Sequence, residues 1–309
     1  MAAALFLLAG YPLLIPHTQG GEVLEKLTGT SNYFIILLAA AAIYLLSYSS
    51  RAIKTKQFKP QEMLAGSVIL LRILLATCAA TYIMLLFKWW SHLGGASYDE
   101  TYYAIDNQFS GVVTFFMDVS KWLGFSDDMY FYLFTLMFIS GYMVVMVLSP
   151  AWFCRMLTAS IAVMVIGGIA YVIAPAYGPF LYRDNAFFMD VQAEMRLATD
   201  AFRQSKGMDF DALKFEYVLG AMPSLHIAHS VIIALYASAL NKRLAIPYGL
   251  ILIYILIHAS VTGFHYLIDI PAGLLVALAA IMVTEKLHKA PYPLSFDNQG
   301  NLSELLRRK

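Results

Sequence analysis

The stretch Ala221-Met-Pro-Ser-Leu-His-Ile-Ala-His229 opens an apolar run over Ser224–Leu240, and Lys242 and Arg243 then turn the chain into a second run over Ala245–Thr262. The segment His258-Ala-Ser-Val-Thr-Gly-Phe-His-Tyr-Leu-Ile-Asp269 leads into a third, Tyr266–Thr284. Each run approaches the roughly 20 residues that a helix needs to cross a bilayer core. Three antiparallel crossings return His226, His229, His258 and His265 to one membrane face and leave the basic turn on the other. That coincidence is the most informative feature of the chain.

Working outward, four more runs have the same character: Tyr33–Tyr48, Leu64–Phe87, Tyr130–Leu148 and Met156–Ala174. The composition agrees, with 60% apolar residues and 13% charged in 309, against about 25% charged in soluble domains. A two-domain cytosolic enzyme is excluded. No Lys/Arg cluster is dense enough for nucleic acid, so none is expected as a partner. Met1–Pro16 is apolar without a basic leader, which suits a short first span or an interfacial helix better than a cleaved signal peptide. Whether it spans stays open. Cys78 and Cys154 form no metal or redox motif and read as packing residues.

The connections sort by charge. Arg51, Lys54, Lys56, Lys59, Arg155, Lys242, Arg243, Lys286, Lys289, Arg307, Arg308 and Lys309 fall on one side, with only Glu62, Glu285, Asp297 and Glu304 among them. The positive-inside rule puts that side in the cytoplasm. The loops at 88–129 and 175–223, and the short turn Gly263–His265, then face the periplasm, the cell exterior or an organelle lumen. In the second long loop Phe187, Met189, Val191, Met195, Ala198 and Phe202 are spaced as one face of a surface helix. Phe109, Val112, Val113, Phe115, Phe116, Trp122 and Phe125 suggest the same in the first. The expected architecture is all-α, a polytopic membrane helix bundle. N-terminal helices and the first outer loop occupy 1–128, a catalytic core with the outer loop 175–223 as lid occupies 129–285, and a cytoplasmic tail occupies 286–309.

Pro223 and Ser224 are helix-opening residues, so His226 falls in a first turn, where free N–H groups and the positive dipole end favour an anion such as phosphate. Gly263 breaks the chain before His265, and Asp269 follows at the i,i+4 spacing that lets carboxylate and imidazole meet. An Asp inside an apolar run is costly and by default functional. A carboxylate holding one ring N–H leaves the other nitrogen as a base or nucleophile. His226 is then available as a general acid. His226, His229, His265 and Asp269 also make a conceivable zinc set. The i,i+3 spacing of His226 and His229 is not that of a zincin helix, however, and no metal or other cofactor is expected. A carrier with a proton or headgroup path through the same residues is the alternative of another class.

Pro223-Ser-Leu-His226 followed by His265-x-x-x-Asp269 resembles motifs two and three of the type 2 phosphatidic acid phosphatase superfamily, over about Leu133–Glu285. The form Met-Pro-Ser-Leu-His with His-Tyr-Leu-Ile-Asp looks closer to its inositol phosphorylceramide synthase-like branch. The resemblance implies a six-helix core with extra N-terminal helices and a metal-independent enzyme without cofactor. His265 would be the nucleophile that becomes a phosphohistidine, Asp269 its orienting carboxylate and His226 the acid for the leaving group, with Ser224 holding phosphate oxygens. The phosphatase branch carries Lys-x6-Arg-Pro as motif one and Ser-Arg before the nucleophile. Here the latter positions are His258 and Ala259, and the nearest motif-one equivalent is Ala174-Pro-Ala-Tyr-Gly-Pro-Phe-Leu-Tyr-Arg183. Arg183 is therefore the expected phosphate cation, with Tyr177 and Tyr182 as donors and His258 as a substrate contact. Loss of the arginines favours transfer of a phospho-headgroup from a membrane lipid donor to a lipid or polyol hydroxyl. Hydrolysis of a lipid or polyprenyl phosphate is the alternative.

Overall fold

The computed structural model describes residues 60–93, 96–125, 129–183, 189–205 and 220–288. The runs at Met1–Pro16 and Tyr33–Tyr48 and the tail from 289 lie outside them. Among the described residues are nine α-helices and no strand: α1 (Pro60–Leu93), α2 (Asp99–Gln108), α3 (Ser110–Trp122), α4 (Met129–Leu148), α5 (Pro150–Ile173), α6 (Met189–Gln204), α7 (Leu225–Leu240), α8 (Ala245–Val261) and α9 (Asp269–Leu287). Stretches of α1, α4, α5, α8 and α9 are long and apolar enough to cross a membrane, and α7 is apolar but shorter. The protein is a multi-pass integral membrane protein.

Local chemistry sets the helix ends. Ser149 accepts a hydrogen bond from the Trp152 amide and Pro150 takes the first helical position, so α5 starts six residues before the apolar run at Met156. Such a cap satisfies one of the N–H groups that a helix start leaves open. The third run behaves in the opposite way. Gly263, at φ +77°, ends α8, and the backbone from 262 to 268 stays non-helical until α9 begins at Asp269.

Helix α7 is the axis of the bundle, buried along most of its length and packed on α4, α5, α8 and α9, while α5 also packs on α1. Its core includes Ile227, Ile232, Ile233 and Tyr236 against Met137, Tyr142, Trp152 and Met156. Ile246 and Leu250 on α8 and Leu275, Leu278 and Met282 on α9 are exposed, the outward apolar face that acyl chains would cover. The short helices α2, α3 and α6 cover the end of the bundle where α7 and α9 begin. The basic residues Arg155, Lys242, Arg243 and Lys286 lie at the other end.

Both long loops contain helices, with a different phase from the one expected, and Phe187 lies outside the described residues. On α6 the buried face is Gln192, Met195, Thr199 and Phe202, and Met189 is exposed. Two polar residues turn inward because both are satisfied there: the Gln192 amide donates to the Thr262 carbonyl at 2.8 Å, and the Thr199 hydroxyl to Met195 O. On α3, Val112, Phe115 and Trp122 point outward and Val113 inward.

Candidate active site

Ser224 is the N-cap of α7, its hydroxyl accepting from the Ile227 amide at 3.4 Å. Helix α9 comes very close to this cap. A Cβ on Gly273 would stand 2.5 Å from Ser224 O, so only glycine lets the two helix starts meet. The Ser224 amide in turn donates to the Asp269 carbonyl at 3.4 Å. His226 therefore opens one helix beside the residue that opens the other.

His265 sits in the turn between α8 and α9. Its Nδ1 lies 2.8 Å from Ala221 O and 3.3 Å from Asp269 Oδ2. Both neighbours can only accept, which places the ring proton on Nδ1 and leaves Nε2 as a lone pair in the neutral imidazole. Ser224 Oγ lies 3.3 Å from Nε2 and is the donor there. His265 is 5% exposed and Ser224 and Asp269 are fully enclosed. The His226 ring meets the His265 ring edge to face at 5.9 Å and is wedged by Phe134 at 4.6 Å and Tyr130 at 5.8 Å. The approach of His265 to Asp269 arises from the turn and not from the shared helical face that the spacing suggested. Asp269 Oδ2 wraps back to accept from the Tyr266 amide at 2.8 Å.

Two further buried carboxylates, which the sequence reading did not single out, fix the surroundings. Asp99 on α2 accepts from the amides of Tyr177 (3.0 Å) and Gly178 (2.9 Å) and from the Tyr266 hydroxyl (2.8 Å). Asp106, two turns on, accepts from the Leu267 amide at 2.9 Å and from Arg183 Nη2 at 3.1 Å. Helix α2 thus ties the proline-rich segment after α5 to the turn carrying His265. Burial pushes the Asp106 carboxyl up from its ordinary range, with the Leu267 amide and the Arg183 guanidinium pulling it back. Burial and then the Asp99 charge push the Tyr266 phenol up. The only sequence signal for these carboxylates is an i,i+7 pair of acids in a short helix, which carries no motif.

The structure brings together His226, His265, Asp269 and Ser224 and gives the other expected contacts different company. Arg183 is paired with Asp106. Tyr182 stacks on Tyr103 at 5.0 Å. Tyr177 lies between His92, stacked at 4.1 Å, and Arg203, whose guanidinium sits 4.6 Å over its ring. His258 is fully buried on α8, its Nδ1 3.2 Å from Ser120 Oγ and its ring stacked on Tyr254 at 4.8 Å. His229 lies a turn deeper than His226, against Phe138. Among the described residues no three His, Cys, Asp or Glu side chains gather as a metal-holding group.

Two buried helix starts thus meet in a helical membrane bundle, with His226 in the first turn of one, His265 in the turn before the other and the Asp269 carboxylate behind His265. The chain belongs to the PAP2 superfamily, whose family model matches residues 108–283, more than half of the sequence. It is on that footing a lipid enzyme of the phosphatase or phosphotransferase type. The match takes in α3 to α9 short of its last turn, and leaves α1 and nearly all of α2 before it. No curated protein and no solved structure matches the chain.

Proposed function

We propose that the protein is a phosphotransferase that moves a phosphoryl or phospho-alcohol headgroup from a membrane lipid donor to a lipid or polyol hydroxyl through a phosphohistidine, as an inositol phosphorylceramide synthase-like enzyme does. The observation that carries the proposal is the setting of His265, whose Nδ1 faces the acceptors Ala221 O and Asp269 Oδ2, so that the proton belongs on Nδ1 and the lone pair on Nε2. In the first step Nε2 forms the N–P bond, the P–O bond to the donor alcohol breaks, and His226 gives its proton to the leaving oxygen. The Nδ1–H of the resulting cationic imidazole stays on Asp269 and Ala221 O. In the second step neutral His226 takes the proton of the acceptor hydroxyl, its oxygen attacks phosphorus, and His265 leaves in its starting form. Ser224, displaced from Nε2, turns its hydroxyl to a phosphate oxygen at the N-terminus of α7. The distribution of basic residues supports an active site on the periplasmic, extracellular or lumenal face.

The test is a single-turnover assay in detergent with EDTA, using labelled phospholipids and polyprenyl phosphates and, separately, a lipid aryl phosphodiester whose leaving group needs no proton. Wild type is expected to pass label to an alcohol. His265→Ala is expected to hold no label at all. His226→Ala, given the aryl donor, should accumulate acid-labile label on the protein, because the second step lacks its base. Turnover by His265→Ala, or a strict need for a divalent metal, would overturn the phosphohistidine route. Label passing only to water would make the enzyme a phosphatase.

A further inference from the structure

We infer that α3 dips into the half of the bilayer on the side of the site, and that its outward apolar flank, Val112, Phe115 and Trp122, seats the acyl chains of the lipid substrate beside His226. The inference rests on the lipid-substrate reading above and adds the surface that holds that substrate. Drawing acyl chains out of a bilayer is costly for every methylene exposed, so a lipid keeps them there while its headgroup reacts.

The depth of α3 follows from α8, on which it packs. The apolar span Lys242–Val261 has 20 residues, about 30 Å of helix, and a bilayer core is about as thick. Both ends of that span therefore stand at the core boundaries. Tyr254 lies two turns inside the outer end of α8, about 10 Å deep. Phe125, just beyond α3, meets the Tyr254 ring edge to face at 4.6 Å. Ser120, in the last turn of α3, stands 3.2 Å from Nδ1 of His258, about one turn below the same end. Exposure along α8 changes accordingly. Ile246, Leu250 and Ile253 form a bare apolar stripe on the inner half, whereas its continuation through Ile257, Ser260 and Val261 is covered. Helix α3 thus stands where lipid stands lower down, and its own outward side becomes the lipid surface.

Val112, Phe115 and Trp122 share one side of α3 by the helical period, and Trp122 is 83% exposed. Thr114, Asp118 and Lys121, also exposed, line the flank beside it. A helix with a buried face, an apolar flank and a polar flank suits an inclined position where hydrocarbon meets headgroups. The site lies behind the same wall. Tyr130, at the start of α4, meets the His258 ring at 6.3 Å and the His226 ring at 5.8 Å. Phe134, a turn further, meets His226 at 4.6 Å, while Met129, Tyr132 and Leu136 on the same turns are exposed. One layer of side chains therefore separates His226 from the bilayer on the side of α3 and α4. A lipid whose chains rest on α3 brings its headgroup to the end of the bundle where α7 and α9 begin.

The experiment uses the full chain in phosphatidylcholine vesicles, with Trp122→Phe, Trp122→Ser and Phe115→Ser beside wild type. The emission of Trp122, read as wild type minus Trp122→Phe, should be quenched by lipids brominated in the upper acyl chain and little by aqueous iodide. Consumption of two aryl phosphodiester donors is then compared, one built on a long-chain diacylglycerol and one on a short-chain, water-soluble analogue. Each serine variant should consume the long-chain donor about tenfold more slowly, the scale of one lost large apolar contact, and the short-chain donor within about twofold of wild type. Trp122→Phe should stay near wild type with both. Either serine variant suffices if the other does not fold. Quenching by iodide and not by brominated lipid would place α3 outside the hydrocarbon and overturn the inference. Protection from both quenchers would mean that a second copy of the chain covers the flank, and overturns it too. Equal losses with both donors, or no preference of wild type for the long-chain donor, would leave α3 a structural brace and overturn the docking role. Failure of the phosphohistidine reading shows separately, as donor consumed by wild type with no label on the protein.

Discussion

Three carboxylates are completely buried at one end of this molecule, and they do different work. Asp269 faces an imidazole as well as the Tyr266 amide; Asp99 and Asp106 face backbone amides, a phenol and a guanidinium but no imidazole. A carboxylate that holds amides fixes where a chain segment runs, and its charge has the same use before and during reaction. A carboxylate on a ring N–H gains when that ring becomes cationic, which is what the proposed N–P bond at Nε2 does to His265. Burial is equal in all three, so burial alone does not mark a catalytic acid. What distinguishes Asp269 is a partner, the His265 ring, whose charge changes in the proposed reaction.

The sharpest way to break this contrast is Asp269→Asn. In a triad whose carboxylate alone sets the tautomer, the same change costs about 10⁴ in kcat. Here Ala221 O, at 2.8 Å, holds the Nδ1 proton independently. The expected loss is therefore smaller, on the order of 10² to 10³ in the rate of protein labelling, with a melting temperature near wild type. A loss equal to that of His265→Ala would mean that Ala221 does not set the tautomer.

Asp106→Asn should invert the pattern. It removes the partner of a largely buried guanidinium and puts an amide N–H where an acceptor stood, a loss of about 3 kcal/mol by comparison with other broken buried pairs. Thermal unfolding in detergent should show it clearly. The labelling rate of the protein that remains folded should fall by less than tenfold, because the Leu267 amide can still find the amide oxygen. If the rate falls by a factor comparable to Asp269→Asn while the fold survives, Asp106 takes part in the chemistry and the contrast fails.

Ser224→Ala comes next. It removes the cap of α7, worth about 1 kcal/mol, and the donor on Nε2. The nucleophile is then more available in the resting state but loses a phosphate donor in the transition state. A net fall of about tenfold in kcat with KM little changed is expected from steady-state kinetics, and a rise in kcat would assign Ser224 to holding the resting nucleophile only.

The grouping of the two histidines with Asp269 and Ser224 was legible in the sequence because it is local. Ser224, His226, His265 and Asp269 each sit at a helix boundary signalled by Pro223 or Gly263, and the apolar runs dictate that both boundaries meet at one end. Asp99 and Asp106 were not legible, since their partners lie some 80 to 160 residues away and are mostly backbone amides, which have no residue identity to read. The pairing of Arg183 was hidden for the same reason: its partner Asp106 stands on a ten-residue helix inside what reads as a loop.

The smallest effect is expected where polar contact is made by a covering helix and not by the core. Gln192 on α6 is buried and donates to Thr262 O, one residue before the glycine that ends α8. Gln192→Ala leaves that carbonyl without this donor and opens a gap beside Met195, a loss of about 1 kcal/mol. Because α6 is tied to the site turn by this bond and by the Met195 and Phe202 contacts, the loss should act on closure of α6 over the turn more than on global unfolding. Hydrogen exchange at the α6 amides should rise severalfold while exchange in α7 stays as in wild type. Water that then reaches His265 should raise the share of label released as free phosphate relative to the share on an alcohol acceptor. An unchanged partition with faster α6 exchange would show that α6 stabilises the turn without governing access to the nucleophile, leaving the enclosure of Nε2 to the residues around Asp99 and Tyr266.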